Sequence, residues 1–391
     1  MWTFEVLFFF IFSNINKRLQ TAISEYLTNV YNNDLSKQLV SSASFVLARE
    51  KIKHTAFIQA NTFILDLYYQ DSSNYKTYRG KRLVAVDGTI LTIPLTEENQ
   101  RKFGKNVLSE NGKWLKAQVS FASDVLNNIC LDAEIQGYCV SERKLAKLHI
   151  DKLSTNNLYI YDRGYYCKDL LGYLALSGND FCFRLKNNAN KEIENFIKNK
   201  KLTDQIITIS TPLLDVTVRL TKVLLENNQQ EYLLTSLLNK NEYTKNDLKE
   251  LYNLRWVIEE QYKDMKHTLS IENFSGKKEE FIKQDFYANI LLYNMSMILF
   301  KQEVEKQANK PNKKGKTKKY HYVSNKHSVF SEVKQYFYQI YLSNFNIFEI
   351  ITKILKKLVK QAIPIRKGRK YPRGITLKAK KKISRCYLAA T

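Results

Sequence analysis

The order in which extended and helical texture follow one another is what most limits the folds open to this chain. Residues 82–94 (RLVAVDGTILTIP), 114–123 (WLKAQVSFAS) and 129–138 (ICLDAEIQGY) are rich in β-branched and aromatic residues, with polar loops between them, so each reads as a strand. A helix is predicted at about 141–151, a strand at 158–162 (LYIYD), a helix at about 167–177 and a strand at 181–186 (FCFRLK). Three strands followed by helix, strand, helix, strand suit an α/β sheet with a parallel part, because parallel neighbours need a crossover long enough to be a helix.

The flanks differ in texture. Residues 14–78 hold no proline or glycine and alternate with helical period, which predicts two or three helices, with SSASFVLAREKIKHTAF as a small helical module. Residues 187–243 interrupt the α/β order with further strand-like runs (QIITIS, DVTVRLTKVLL, EYLLTSLL) and read as a β insertion. After a helix at 252–269 come an apolar helix near 281–300, the Lys-rich NKPNKKGKTKKYHY, expected as a mobile basic loop, and a helical segment at about 329–362. The expected divisions are therefore 1–80, 81–186, 187–243, 244–300 and 301–391. No internal repeat is visible.

Charge is distributed unevenly. The net charge is +24, yet residues 301–391, with 20 Lys and 4 Arg against 4 Glu and no Asp, carry +20 of it. The remaining 300 residues are nearly balanced. A basic end of this kind points to a polyanionic partner, most often nucleic acid. The five cysteines (Cys130, Cys139, Cys167, Cys182, Cys386) are scattered without zinc spacing, so reduced thiols and a cytoplasmic location are expected. The opening MWTFEVLFFFIF lacks a basic n-region and a small-residue cleavage site, contains Glu5, and is too short to span a bilayer. A helix or strand packed on the body, or an extension of the chain, is expected there.

Two aspartates stand out against this background. Asp87 lies inside the strongly β stretch 82–94, where an unpaired buried carboxylate is costly; Asp-Gly between apolar runs is also a hairpin-turn signal. Asp162 ends the apolar LYIY and precedes Arg163 and Gly164, at the kind of strand end where α/β sheets place their sites; a cap or turn is the plainer reading. In YNLRWVIEEQYKDMKHTL, Tyr252, Arg255, Glu259, Lys263 and Lys266 recur at steps of three, four, four and three. At about 100° per residue they share an arc of about 80° on one helix face, beside the apolar Leu251, Leu254, Ile258, Met265 and Leu269. Glu260 points elsewhere. By itself such a row is often only a surface laced with i,i+4 ion pairs.

Taken together, Asp87, Asp162 and Glu259 place carboxylates on two strands and a helix, the hard oxygen donors that Mg²⁺ prefers. Two such ions about 3.5–4 Å apart can serve an in-line phosphoryl displacement. Cationic neighbours of the glutamate would hold DNA phosphates, and a tyrosine face can stack on a base.

The spacing Tyr252-(2)-Arg255-(3)-Glu259-(6)-Lys266 resembles the Y-(2)-R-(3)-E-(6)-K signature of bacterial transposases of the insertion-sequence-four family. VDGTIL around Asp87, YDRGYY around Asp162 and the basic IRKGRKYPR are similar to that family's aspartate regions and ending, so the resemblance runs from about residue 43 to about 374. It implies a ribonuclease-H-like core with a β insertion before the glutamate-bearing helix. It further implies Asp87, Asp162 and Glu259 as catalytic and metal-binding residues for two Mg²⁺ ions, with Mn²⁺ substituting. Tyr252, Arg255, Lys263, Lys266 and Arg163 would bind DNA, part of it as a flipped base beside the cut. The tryptophan that some relatives place in the insertion is missing; Phe196 and Tyr232 are the aromatic candidates there. The implied activity is cut-and-paste transposition by a homodimer acting on inverted-repeat ends and target DNA, through a hairpin. A metal-dependent nuclease without joining, or a derivative that only binds DNA, are the alternatives.

Overall fold

The computed structural model describes residues 2–13, 18–31, 40–104, 114–224, 229–311, 315–342 and 346–366. They form two compact units, one of Met1–Asp66, Thr92–Lys116 and Asp264–Thr391, the other of Leu67–Leu91 and Ala117–Lys263.

The second unit is built on a mixed sheet. β1 (Arg82–Pro94), β2 (Trp114–Asp124), β3 (Ile129–Gly137), β4 (Asn157–Tyr161), β5 (Asp180–Arg184), β6 (Asp204–Ser210), β7 (Asp215–Leu224) and β8 (Gln230–Thr235) lie in the order β3-β2-β1-β4-β5-β8-β7-β6. β1, β4 and β5 are parallel to one another, whereas β2–β3, β5–β8, β8–β7 and β7–β6 pair antiparallel. Leu83, Val84, Ala85 and Val86 are all buried, the continuous apolar run of a strand covered on both faces. β1 continues through Asp87-Gly88 as one strand, so the hairpin-turn reading of that dipeptide does not hold.

Helices α6 (Glu142–Lys152) and α7 (Lys168–Leu176) return the chain between strands, each started by a side-chain cap, from Ser141 and Cys167. The insertion does not stand apart. Its strands extend the same sheet through the β5–β8 pairing, and it also contains a helix, α8 (Lys191–Lys198), capped by Asn190. Helix α9 (Lys245–Asn253) opens with a capping box between Thr244 and Asp247.

The expected single helix over 252–269 is a correction. α9 stops at Asn253, α10 spans Trp256–Lys263, and a π-helical turn covers Asp264–Thr268. At the junction the backbone bonds run three residues back, from Arg255 to Tyr252, Val257 to Leu254 and Ile258 to Arg255. The tighter turn resets the helical phase.

The first unit is helical. α1 (Phe4–Phe12) is a packed helix that buries Val6, Leu7, Phe10, Ile11 and Phe12. α2 (Leu19–Val30), α3 (Ser42–Arg49) and α4 (Thr55–Gln70) are the three helices expected before residue 78, α4 running on into the second unit. α5 (Glu97–Phe103), capped by Thr96, lies where the sequence reads as polar loop. α11 (Glu279–Ser296) is buried along nearly its whole length and passes through a π-helical turn, Met297–Lys301, into α12 (Gln302–Ala308). α13 (Lys326–Leu342), α14 (Ile347–Lys360) and the small pair β9 (His321–Val323) and β10 (Ile363–Ile365) complete it. Part of the basic loop, residues 312–314, and the basic end beyond residue 366 lie outside the described residues. Among the described residues no helix is long and apolar enough to cross a membrane.

Candidate active site

Strand register brings the two aspartates together. β1 pairs with β4 in parallel as far as Val86 opposite Tyr161, so Asp87, midway along β1, and Asp162, just past the carboxyl end of β4, are the next residues on neighbouring strands. The third carboxylate arrives from α10. Arg255, in the turn between α9 and α10, donates from one terminal nitrogen to Glu259 Oε1 at 2.7 Å, while the other stands 3.9 Å from Asp87 Oδ2. Tyr252, in the last turn of α9, donates its hydroxyl to Asp162 Oδ1 at 2.9 Å. Arg184, at the end of β5, stands 3.7 Å from the same oxygen and is paired with Glu231 of β8.

The two aspartates sit in opposite electrostatic situations. Burial raises Asp87 to about 6; the Gly88 N–H and Arg255 oppose this, while Glu142 and Glu259 add to it. Burial also pushes Asp162 upward, but the Arg163 N–H, the Tyr252 hydroxyl, Arg255 and Arg184 outweigh it and hold its carboxyl below the usual range. Asp87 is thus a half-buried carboxylate short of positive charge.

This bears on a metal. Among the described residues, no group of three or more His, Cys, Asp or Glu converges closely enough to hold an ion. The three carboxylates are instead arranged around the Arg255 guanidinium, whose Nε is buried without a partner. The donor set is nevertheless all hard oxygen, and the raised Asp87 marks a place where further cationic charge would be favourable. The residues fit a divalent cation in chemistry.

Other expected site residues fall elsewhere. Tyr252 and Arg255 are 6% and 5% exposed and turned toward the carboxylates, so they are not the exposed DNA-gripping row that an unbroken helix would give. Lys263 is exposed at the end of α10, and Lys266 belongs to the π-helical turn of the other unit. Arg163 is half-exposed, 3.9 Å from Glu231. Glu260 is exposed, as the row requires, and Trp256 presents a largely exposed ring beside the Arg255 guanidinium. Phe196 is buried beneath Lys222 and offers no face to a base, whereas Tyr232 remains partly accessible.

Sequence reading missed Glu142 and Arg184. A Cβ on Gly88 would meet Glu142 Oε1 at 2.5 Å, so glycine after Asp87 is what admits this fourth carboxylate. Nothing in spacing announced it. Arg184 had a signal, a cation ending the strand next to that of Asp162.

Residues 78–295 match the family described as the transposase DDE domain, and the chain belongs to it. The resemblance drawn from the spaced signature is borne out. Among curated relatives, the chain is 24% identical over 273 residues to transposase InsG for insertion sequence element IS4 of Escherichia coli (strain K12). That alignment covers 66% of this chain and 61% of the relative, so the chain spans less than two thirds of that relative's length. Among solved structures, a piggyBac transposase synaptic complex with hairpin DNA aligns with 90% of this chain and 75% of its own, at 12% identity and a TM-score of 0.45.

Proposed function

We propose that this chain is a cut-and-paste DNA transposase, acting as a homodimer on inverted-repeat ends. Its core is read as ribonuclease-H-like, which the order β3-β2-β1-β4-β5 with a parallel β1-β4-β5 half supports. The observation that carries the reading is the meeting of Asp87 and Asp162 on adjacent strands, just past the last paired residues of β1 and β4, with Glu259 held by the arginine that also faces Asp87.

In this reading Asp87, Asp162 and Glu259 hold two divalent cations, Mg²⁺ or in its place Mn²⁺. Bound there, they would activate the attacking oxygen and stabilise the leaving one in an in-line phosphoryl displacement. Water cleaves the P–O3′ bond at the transposon end and frees a 3′-OH. That hydroxyl displaces the opposite strand to form a hairpin, a second water opens it, and the released 3′-OH joins target DNA. The chain's own part is to place groups. Tyr252 and Arg184 orient Asp162, and Arg255 orients Glu259 until the carboxylates are otherwise neutralised. Arg163, Lys263 and Lys266 are assigned to DNA phosphates. The helices of residues 1–80 are assigned to end binding, and the basic region 301–391 to DNA binding in general and to dimerisation.

The test uses a labelled duplex carrying the element's own end, with target DNA present. Asp87→Ala, Asp162→Ala or Glu259→Ala should each abolish cleavage while end binding persists, and Glu260→Ala should stay active. An essential Glu260 with a dispensable Glu259 would overturn the site. Cleavage by the unaltered chain without joined product would make it a nuclease. Measuring non-specific DNA binding against salt with the lysines of residues 310–319 deleted checks the basic region, since each lost phosphate contact flattens the log–log slope by about 0.9.

A further inference from the structure

Tyr262 is buried, one helical turn beyond Glu259 on α10, with its ring stacked on Phe121 of β2 at 4.5 Å and 15°. Its hydroxyl donates to the Asp87 carbonyl oxygen at 2.6 Å and accepts from the Phe121 N–H at 3.1 Å. Those are a donor and an acceptor on neighbouring strands β2 and β1, bridged here by a single side-chain oxygen. That one atom therefore ties the helix of Glu259 to the strand of Asp87.

A second hydroxyl reaches the same carbonyl. Ser120 Oγ lies 3.3 Å from Asp87 O and 2.9 Å from His149 Nε2, and His149 Nδ1 lies 2.6 Å from Asp132 Oδ2. Serine, histidine and aspartate in this order resemble a hydrolytic triad, but Ser120 and His149 are wholly buried and no substrate can reach them. The array is a brace behind the Asp87 peptide. Gln261, beside Tyr262, adds a hydrogen bond with Ser123 that fastens α10 to β2 again.

We propose that Tyr262 is a positioning residue, whose hydroxyl sets the separation of the Asp87 and Glu259 carboxylates and so the site's affinity for a divalent cation. The inference rests on the metal reading given under Proposed function, and on the general sensitivity of a metal site to the groups that orient its ligands. Tyr262→Phe is the suitable variant, because it keeps the ring on Phe121 and removes only the bridging oxygen.

The test is Mn²⁺ binding by the full-length chain without DNA, followed through the electron paramagnetic resonance signal of free Mn²⁺. Tyr262→Phe should bind about tenfold more weakly than the unaltered chain, the lower end of what loss of an orienting partner does. Phe121→Leu removes the ring contact but keeps the backbone N–H, and should bind as the unaltered chain does although it melts lower. Unchanged affinity in Tyr262→Phe overturns the inference and leaves the metal reading standing. An equal loss in Phe121→Leu also overturns it, since packing would then be the cause. Asp87→Asn separates the two levels: if the unaltered chain binds Mn²⁺ no better than this variant, the metal reading fails and this inference fails with it.

Discussion

Two of the buried arginines, Arg49 and Arg255, lie in different compact units and are treated differently. Arg49, at the end of α3, uses its whole guanidinium: Nε donates to Gln284, one terminal nitrogen to Ser275, and the other to the Phe281 carbonyl and to Asp285. It also lies over the Phe281 ring. Arg255 makes one short bond, to Glu259, stands at 3.9 Å from Asp87, and leaves Nε buried without a partner. A buried charge with every donor satisfied fixes packing. A buried charge with donors to spare, among carboxylates that outnumber it, is only partly compensated by its neighbours. The surroundings of Arg49 are complete as they stand, whereas those of Arg255 are not.

The sharpest way to break this comparison is to remove each arginine. Arg49→Ala strands Asp285 in the core and should cost about 3–5 kcal/mol in denaturant unfolding. Arg255→Ala should cost about 1 kcal/mol, because Glu259 keeps access to water, yet it should lower strand cleavage at least about tenfold. Equal losses of stability would erase the distinction.

A smaller effect is expected from the hydroxyl on Asp162. Tyr252→Phe removes a hydrogen bond to a charged group, worth about 1.5–3 kcal/mol, and should slow cleavage roughly tenfold or more, with Tyr252→Ala little worse. Full activity in the phenylalanine variant, alongside a defective alanine variant, would show that the ring matters and the hydroxyl does not.

The mildest effect is on stability against pH. Asp87, at about 6, lies above the ordinary value of 3.8, so the folded chain binds this proton more tightly than the unfolded one. Its contribution to stability is complete below about pH 4 and is lost as pH rises through about 6. Asp162 runs the other way, since its lowered carboxyl contributes above its unfolded value and loses that contribution as pH falls. Asp87→Asn should therefore be more stable than the unaltered chain by about 1–3 kcal/mol at pH 8 without divalent cations, and no more stable at pH 4. Urea unfolding at the two pH values measures it. A variant destabilised at pH 8 would mean that the Asp87 charge is already well compensated.

By itself the sequence determined the elements whose signals are local. The run RLVAVDGTILTIP is β1 from its first residue to its last, and LYIYD ends in the strand-terminal Asp162, because a strand covered on both faces must be apolar throughout. The spaced tyrosine, arginine, glutamate and lysine likewise identified the family without help from the fold. Caps at Thr96 and Asn190 were legible as well, although α5 and α8 were not predicted from them. What the tertiary structure alone decided depends on partners distant in the chain. That β8 adds to the edge of β5 follows from strand pairing, which local pattern leaves open. The tight turn at Leu254 and Arg255 broke the expected row of DNA-binding side chains, with Tyr252 and Arg255 buried and Lys263 left exposed, since a few bonds reaching back three residues change the helical phase. The same packing placed Glu142 against Gly88 and the Tyr262 hydroxyl on the Asp87 carbonyl, 54 and 175 residues away in sequence, separations across which no periodicity carries information.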